Sequence, residues 1–468
     1  MRYQSTRDQT PPLDFEHAML DALARDGGLF VPEAWPRLDA DTLRGFPARH
    51  YADIAAEVLQ PFVSPAVAPA DLQRIVCDAY SRFRHEAVAP LRELGPNLWL
   101  MELYHGPTLA FKDVAMQVLG GLFEHLLQRR QQTLTIIGAT SGDTGSAAIE
   151  AIRGRANARI VILHPHNRTS AVQRRQMTTV HADNVHNVAI HGTFDDCQNL
   201  VKAMFNDAAF REEQSLSGVN SINWARVMPQ IIYYLTAATA LGAPDRGVRF
   251  TVPTGNFGNV YAGYAARQMG LSVDRLVVAS NSNDILTRTL NTGDHSLHET
   301  LPTHSPSMDI QISSNFERLL FDLHDRDGAA VRDHMAALRT HRRFDLPPAQ
   351  RARAAELFSA HRTDEDRTLA TLRDVHERTG ALIDPHTAVG VAAAQEFANK
   401  NHGGRHDLPM VVLGTAHPAK FPDAVEQATG IRPPLPPALA DLFEREERYT
   451  ELGNDLEAVK NHIRGLPA

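Results

Sequence analysis

Six short apolar runs between residues 133 and 413 constrain the fold of this 468-residue chain more than any other feature. The runs cover residues 133–137, 159–163, 185–190, 248–252, 275–279 and 409–413. Amphipathic helical patterns follow several of them, and this alternation is typical of βαβ units. Strands that are apolar along their whole length need cover on both faces. The pattern therefore predicts an α/β protein with parallel sheets covered by helices.

The segments on either side of these runs have a different pattern. Residues 1–95 carry amphipathic helical spacing, which predicts a mainly helical N-terminal region. The tail from residue 431 begins with a proline-rich run and ends in a charged helix. We therefore predict four parts: the N-terminal region (1–95), a smaller α/β domain (96–225), a larger α/β domain (226–430) and the C-terminal tail (431–468).

A lysine stands at an unusual place in the predicted secondary structure. Residues 105–113 (HGPTLAFKD) break an apolar run with Gly-Pro and place Lys112 in the first turn of a helix expected over 114–127. Backbone dipoles at a helix start repel a cation, so a neutral amine, or one bonded to an anionic cofactor, suits this position better. An exposed lysine at a helix start fits the same residues.

Three loops that follow predicted strands are rich in glycine and small polar residues. Ligands of open α/β sheets bind where such loops leave the carboxyl ends of the strands. Residues 255–259 (GNFGN) let backbone N–H groups converge at a helix start, which favours a phosphate site over a plain turn. Residues 141–145 (SGDTG) add hydroxyls that suit a carboxylate or phosphate oxygen, although an ordinary N-cap turn fits too.

The third loop, residues 414–421 (GTAHPAKF), places a hydroxyl at a strand end. Such a hydroxyl can hydrogen-bond a ring nitrogen without putting a formal charge beside it, and a strand-end turn is an equal alternative. Arg226 stands at the start of an apolar helix expected over 227–240. An arginine there needs an anion, and either a bound phosphate or an internal ion pair would supply one.

Composition excludes several classes of function. The net charge is −8 and no dense Lys/Arg run occurs, which argues against nucleic acid or an anionic membrane as partner. The two cysteines, Cys77 and Cys197, are far apart, and no HExxH motif occurs, so we expect no disulfide framework and no metal. Neither an export signal nor a membrane-spanning run is present, so we expect a cytoplasmic protein.

Taken together and in order, these loops resemble those of threonine synthases. The matching segments are residues 3–7, 26–32, 105–113, 141–145, 220–223, 255–258, 313–318 and 414–421. One such pentapeptide is a weak signal, whereas the ordered set, which extends to about residue 430, is specific. The resemblance implies a pyridoxal phosphate (PLP) enzyme of the tryptophan synthase β-like fold (fold type II), with parallel sheets covered by helices and a helical N-terminal region.

The resemblance also implies roles for individual residues. Lys112, in the smaller domain, would form the imine with PLP, and Thr415 would bond the pyridine nitrogen. The cofactor phosphate would be held in the larger domain by the backbone of Gly255, Asn256, Phe257, Gly258 and Asn259. Asn259 stands where many relatives are expected to carry Asp, so its own contact stays open. Substrate phosphate and carboxylate would be held by Ser141, Thr144, Asn223 and Arg226.

The reaction that the resemblance implies converts O-phospho-L-homoserine and water to L-threonine and phosphate, by γ-elimination and β-addition of water. A related PLP lyase would instead release a 2-oxo acid, ammonia and phosphate. A non-catalytic relative that binds ligand as a regulator is disfavoured by the presence of Lys112 together with the phosphate loop. A nucleotide-binding protein is least favoured, because neither GxGxxG nor a Walker A sequence occurs. The sequence leaves a monomer and a homodimer equally open.

Overall fold

Six strands form the larger sheet, and helices cover both of its faces. The computed structural model describes residues 1–219, 221–400 and 407–467. The strands, in spatial order, are Phe358–Arg362, Val273–Ser280, Val248–Pro253, Met410–Gly414, Leu98–Glu102 and Leu91–Gly95. Neighbouring strands are parallel except for Leu91–Gly95, which runs antiparallel to Leu98–Glu102. The central strands are buried on both faces, which explains their continuous apolar runs.

A smaller sheet of five parallel strands lies beside it. Its strands, in spatial order, are Thr450–Gly453, Val185–His191, Ala158–Pro165, Leu134–Ala139 and Leu216–Ser217. Two minor antiparallel sheets complete the strands: Leu13–Asp14, Arg2–Ser5 and Phe30–Pro32 form one, and Asp294–Ser296 and Arg343–Asp345 form the other. All six predicted strands are present, so the predicted α/β fold with helix-covered parallel sheets is confirmed.

Helices surround both sheets. The α-helices are Phe15–Asp21, Ala40–Gly45, Tyr51–Val63, Pro69–Ser81, Lys112–Arg130, Asp143–Ile152, Ala171–Thr178, Phe194–Asn206, Ala208–Glu213, Trp224–Val227, Ile231–Ala240, Gly258–Gln268, Ile285–Thr292, Phe316–Leu323, Gly328–His341, Pro348–Ala355, Glu365–Thr379, Pro385–Lys400, Pro422–Thr429 and Leu456–Arg464. Short 3₁₀ turns occur at Phe46–Ala48, Met228–Gln230, Pro306–Met308, Pro418–Lys420 and Pro437–Leu439. Within the described part of the chain, none of these helices has the length and apolar character that crossing a membrane requires.

The predicted division into four parts stays a prediction, and three strands cross it. Leu98–Glu102 falls in the predicted smaller domain but pairs within the larger sheet, as does Leu91–Gly95 from the N-terminal region. Thr450–Gly453, from the predicted tail, extends the smaller sheet beside Val185–His191. The chain therefore passes between the two sheets more often than the division implies.

The helix that begins at Lys112 is buried along most of its length, and one glycine makes its close packing possible. A Cβ on Gly120 would lie 2.3 Å from the carbonyl oxygen of Ala151, in the neighbouring helix Asp143–Ile152. The contact is with backbone, which cannot turn aside as a flexible side chain can. Gly120 therefore sets the distance between the two helices whose first turns carry Lys112 and residues 143–145.

We expect Gly120→Ala to lower the free energy of unfolding by about 1–3 kcal/mol, because the added methyl forces the two helices apart. Thermal unfolding followed by circular dichroism measures the change. Gly45→Ala is the matched control, because Gly45 is also helical and a Cβ there would meet nothing within 4 Å. Equal Tm values for the two variants would contradict this account of the packing.

Candidate active site

Two loops that are distant in sequence join at the carboxyl ends of the larger sheet's strands. The Phe111 N–H donates to the Thr415 carbonyl at 2.8 Å, and the His417 N–H donates to the Leu109 carbonyl at 3.0 Å. Ala110 and Ala416 form an antiparallel bridge between these bonds. The pairing brings the segments that carry Lys112 and Thr415 side by side, as their predicted roles require.

The turn that precedes Lys112 is anchored by the carboxylate of Asp113, the residue that follows Lys112. The N–H and the hydroxyl of Thr108 each donate to the Asp113 carboxylate at 2.8 Å. Complete burial raises the pKa of Asp113 to about 6, against the opposing effect of these hydrogen bonds. A Cβ on Gly106 would lie 2.4 Å from the Asp113 Cβ, so this turn has room only for glycine. The turn fixes the start of the helix and with it the position of Lys112.

The Lys112 amine lies in a buried, mixed-charge environment. Its side chain is 11% exposed, and Nζ lies 3.5 Å from Asp143 Oδ2 and 4.8 Å from the centre of the Phe111 ring. Burial lowers the pKa of Lys112, the Asp143 carboxylate raises it, and the positive charges of Lys420 and Arg226 lower it again. The net shift is downward, toward the neutral amine that the position at a helix start favours.

Thr415 combines a fixed backbone with a hydroxyl that no described residue contacts through a hydrogen bond. Its N–H donates to the Thr387 hydroxyl at 3.2 Å, and the Thr387 hydroxyl in turn donates to the Asp384 carboxylate. The Thr415 Oγ1 is buried and has no hydrogen-bond partner among the described residues. A buried hydroxyl without a partner is costly, so this atom is suited to bond a ligand. The Asp384–Thr387 pair was not predicted from the sequence.

Residues 255–259 form a loop whose backbone N–H groups donate to no described residue. Phe257 adopts a left-handed conformation (φ 62°) at the start of the helix Gly258–Gln268, and no side chain caps that helix. Ser313 donates its hydroxyl to the Gly255 carbonyl at 2.7 Å, and Asn315 donates its side-chain amide to the Asn256 carbonyl at 2.9 Å. With the carbonyls held by these residues, the helix start provides the donors and the dipole that bind phosphate.

Asn259 is placed by two tyrosines. The hydroxyls of Tyr233 and Tyr234 lie 2.5 Å and 3.1 Å from its Oδ1, and Tyr234 also donates to its backbone carbonyl at 2.8 Å. The Nδ2 atom is buried and has no partner in the described part of the chain. An amide at this position therefore retains hydrogen-bonding capacity beside the loop, without the negative charge that Asp would add.

The loop of residues 141–145 is built around a buried carboxylate. The Asp143 Oδ1 lies 2.8 Å from Lys420 Nζ and accepts from Gln173 Nε2 at 2.9 Å. A Cβ on Gly142 (φ +144°) would lie 2.5 Å from the Gln173 side chain. The hydroxyls of Ser141 and Thr144, on either side, have no hydrogen-bond partner among the described residues and are partly exposed. Both are therefore available to a ligand, as their predicted role requires.

Arg226 is a buried cation that has no acidic partner among the described residues. Its side chain donates to the Val219 carbonyl at 2.8 Å, while Nε is buried and makes no hydrogen bond within the described residues. Desolvation lowers the pKa of Arg226 to about 10, and its charge acts on Lys112. The internal ion pair that the sequence left open is not formed with any described residue. This arrangement suits a bound anion.

Asn223 has both ends of its amide engaged inside the protein. Oδ1 accepts from the Ala225 N–H at 3.0 Å, capping the short helix Trp224–Val227, and Nδ2 donates to the Met19 carbonyl at 2.9 Å. Its predicted contact with substrate stays a prediction, and its visible role is to hold the segment that carries Arg226. Asn220, in the same segment, lies outside the described residues.

Two charged residues of the site were not assigned a role from the sequence. Lys420 is fully buried and pairs with Asp143 across 277 positions of sequence. Arg318 is fully buried as well and donates to the Phe30 carbonyl at 2.9 Å and the Ile222 carbonyl at 2.6 Å, tying the N-terminal region to the site. Both fall in motifs noted above, but the motifs alone do not show what these side chains contact.

Comparison with known proteins covers nearly the whole chain. The family model described as threonine synthase N terminus matches residues 2–80, the pyridoxal-phosphate dependent enzyme model matches residues 83–344, and the threonine synthase C-terminal model matches residues 387–463. Threonine synthase of Pseudomonas aeruginosa is 52% identical over 99% of this chain and 98% of its own length. Threonine synthase of Corynebacterium glutamicum is 42% identical over 99% of this chain and 98% of its own length.

Solved structures agree with these sequence relatives. The crystal structure of PLP-bound threonine synthase from Brucella melitensis superposes with a TM-score of 0.96 at 52% identity, covering 99% of both chains. The yeast threonine synthase structure gives a TM-score of 0.94 at 38% identity, covering 99% of this chain and 98% of its own.

Proposed function

This chain belongs to the threonine synthase family of PLP-dependent enzymes, and we propose that Lys112 is its cofactor-binding and proton-transferring residue. The observation that supports this most is the joining of the two loops, which brings the segment of a buried amine with a lowered pKa beside that of Thr415. The Thr415 Oγ1 is buried and has no hydrogen-bond partner among the described residues. The substrate would be O-phospho-L-homoserine, and the products L-threonine and phosphate.

The residues of the site fit PLP. Lys112 would hold the cofactor covalently through Nζ, the N–H groups of residues 255–259 would bind its phosphate, and Thr415 would hydrogen-bond its ring nitrogen. Thr415 Oγ1 and Asn259 Nδ2, which are buried and have no partner in the described part of the chain, are the polar atoms that such a group would satisfy. When bound, PLP withdraws electrons from the substrate carbon to which the amino group is attached.

We assign the proton transfers to the Lys112 amine, because burial and the nearby cations favour its neutral form. Protons leave the α- and β-carbons of the substrate, phosphate departs from the γ-carbon, and a proton returns to the γ-carbon. Water then adds its hydroxyl at the β-carbon, and a proton returns to the α-carbon, so that the atoms balance to threonine and phosphate. Arg226, on the segment that Asn223 caps, would hold the substrate phosphate, while Ser141 and Thr144 would hold the carboxylate.

Side-by-side product assays test this function against its nearest alternative. The holoenzyme is incubated with O-phospho-L-homoserine, and phosphate, threonine and ammonia are measured in the same samples. Equal amounts of phosphate and threonine support the proposal. Phosphate accompanied by ammonia and a 2-oxo acid would identify a phospho-lyase instead, and no phosphate release would reject both. We further propose a cytoplasmic enzyme whose partner is this small molecule and that binds neither nucleic acid nor a membrane.

A neutral group at position 415 keeps formal negative charge away from the cofactor ring. We expect Thr415→Asp to slow turnover by about tenfold to a hundredfold, because a carboxylate there would stabilise the protonated form of the ring nitrogen and alter an interaction worth about 1.5–3 kcal/mol. The visible absorbance of the bound cofactor should shift as well. Thr415→Ser, which retains the hydroxyl, is the control and should keep both properties close to wild type. Unchanged turnover and spectrum in Thr415→Asp would show that Thr415 does not contact the ring.

A further inference from the structure

Lys420 is a buried charge that the proposed reaction does not use. The chain has five lysines, at positions 112, 202, 400, 420 and 460, and the side chain of Lys420 is 0% exposed. Its Nζ lies 2.8 Å from Asp143 Oδ1 and donates to the Thr108 carbonyl at 2.8 Å. A fully buried ammonium is costly unless it is paired, so this one is held in place by its carboxylate partner.

The same carboxylate faces the amine of Lys112. Asp143 Oδ2 is 3.5 Å from Lys112 Nζ, while Oδ1 is taken by Lys420 and by Gln173 Nε2. Asp143 thus lies between two amines and is held more closely by Lys420. Burial would raise the pKa of Asp143, but the charges of Lys420 and Lys112 outweigh burial and hold that pKa well below its usual range. Asp143 is therefore an anion.

We propose that Lys420 is a positioning residue that neutralises and orients the Asp143 carboxylate, so that this carboxylate neither holds Lys112 as an ammonium nor repels an anionic substrate group from the loop of residues 141–145. The proposal rests on the role proposed for Lys112 above. Lys420 does this without contacting the reacting atoms itself, because its Nζ is occupied by Asp143 and by the Thr108 carbonyl.

Removing Lys420 would change the balance of charge around Lys112. Alone with a buried carboxylate, the Lys112 ammonium would be stabilised, and an ammonium can neither accept a proton nor bond to a carbonyl group. Arg226 is the other positive charge that acts on Lys112, and it remains in every variant below. Asp113 is the other carboxyl on which Lys420 acts, from the turn that Thr108 anchors.

A second consequence concerns the substrate. Asp143 is flanked by Ser141 and Thr144, whose free hydroxyls are the proposed ligands of the substrate carboxylate. Two carboxylates close together repel each other strongly in a buried site, so the loop is suited to an anion only while Asp143 is paired. The charge of Lys420 cancels that of Asp143, so the loop is neutral overall. The hydroxyls of Ser141 and Thr144, and the dipole of the helix Asp143–Ile152, can then attract the anionic substrate.

Three variants of the holoenzyme test the proposal: Lys420→Met, Asp143→Asn, and the double variant that carries both. The measurement is the pH midpoint of the change in the visible absorbance of the bound cofactor, which reports protonation at the Lys112 nitrogen. We expect the midpoint to rise by about one pH unit or more in Lys420→Met and to fall by a similar amount in Asp143→Asn. In the double variant both effects are removed, so the midpoint should return close to wild type.

A purely structural role would not give opposite shifts that cancel. In addition, Lys420→Met should raise KM for the phosphorylated substrate, and Lys420→Arg, which retains the charge, should recover part of the loss. Circular dichroism shows whether Lys420→Met folds. If it does not, the proposal is tested by the downward shift of the pH midpoint in Asp143→Asn and by the return of the midpoint toward wild type in the double variant. Equal midpoints in all folded variants, or a fall in Lys420→Met, would overturn the proposal.

The proposed function can fail separately from this inference. A wild-type enzyme that forms no threonine would reject the function. A wild-type enzyme that forms threonine, whose midpoint does not respond to Lys420 or Asp143, would reject only the role of Lys420.

Discussion

Lys112→Ala is expected to abolish threonine formation, with kcat lower by about 10⁴-fold or more, because the variant loses both the covalent attachment of the cofactor and the group that transfers protons. The wild-type amine is buried beside Asp143, and its pKa is lowered chiefly by burial, so its neutral form is accessible for both tasks. Phosphate and threonine release from O-phospho-L-homoserine measure the effect. The visible absorbance of the wild-type holoenzyme should also disappear in the variant.

Two controls make this result specific. Lys202→Ala changes an exposed lysine on the helix Phe194–Asn206 and should leave activity and absorbance unchanged. Borohydride reduction of the wild-type holoenzyme, followed by peptide mapping, should place the cofactor on Lys112 rather than on any of the other four lysines. Label on another lysine, or full activity in Lys112→Ala, would contradict the assignment.

The predictable part of the fold is its central, doubly buried portion. The six predicted strands are apolar along their length because helices cover both faces, and this is a signal that a sequence carries locally. Three strands that were not predicted lack it. Phe358–Arg362 and Leu91–Gly95 are edge strands of the larger sheet, and Thr450–Gly453 is partly or fully exposed along its length. An edge strand buries less apolar surface than a central one. Its sequence therefore lacks a continuous apolar run and is hard to distinguish from the charged helical segments around it.

The site was predictable in its loops and less so in its long-range contacts. A lysine at a helix start and glycines at strand ends have local physical reasons, and these placed Lys112 and residues 255–259 correctly in their elements. The pairing of Asp143 with Lys420, and the support of Thr415 by Asp384 and Thr387, joins distant segments, and no local pattern reports it. Asn223 illustrates a different difficulty. An asparagine before a helix fits a ligand-binding role and an N-cap role equally well, and the structure shows the cap.

Arg226→Gln is expected to raise KM for O-phospho-L-homoserine by about tenfold to a hundredfold, because a hydrogen bond from a charged group is worth about 1.5–3 kcal/mol. Arg226 is 3% exposed, its Nε has no partner within the described residues, and no described carboxylate pairs with it, so an anion from outside is the partner that its burial calls for. Inorganic phosphate, the leaving product, should inhibit the variant correspondingly less. Initial rates over a range of substrate and phosphate concentrations measure both effects.

The outcome for Arg226 also separates binding from support of the fold. Arg226 holds the Val219 carbonyl at 2.8 Å, so a purely structural role would lower Tm and kcat without a selective change in KM or in phosphate inhibition. Arg226→Lys keeps the charge but not the planar fork, and should fall between wild type and Arg226→Gln in KM. Because the charge of Arg226 also lowers the pKa of Lys112, Arg226→Gln should move the pH midpoint of the cofactor absorbance upward. An unchanged KM with unchanged phosphate inhibition would remove Arg226 from the substrate site and leave the buried cation to act on Lys112 alone.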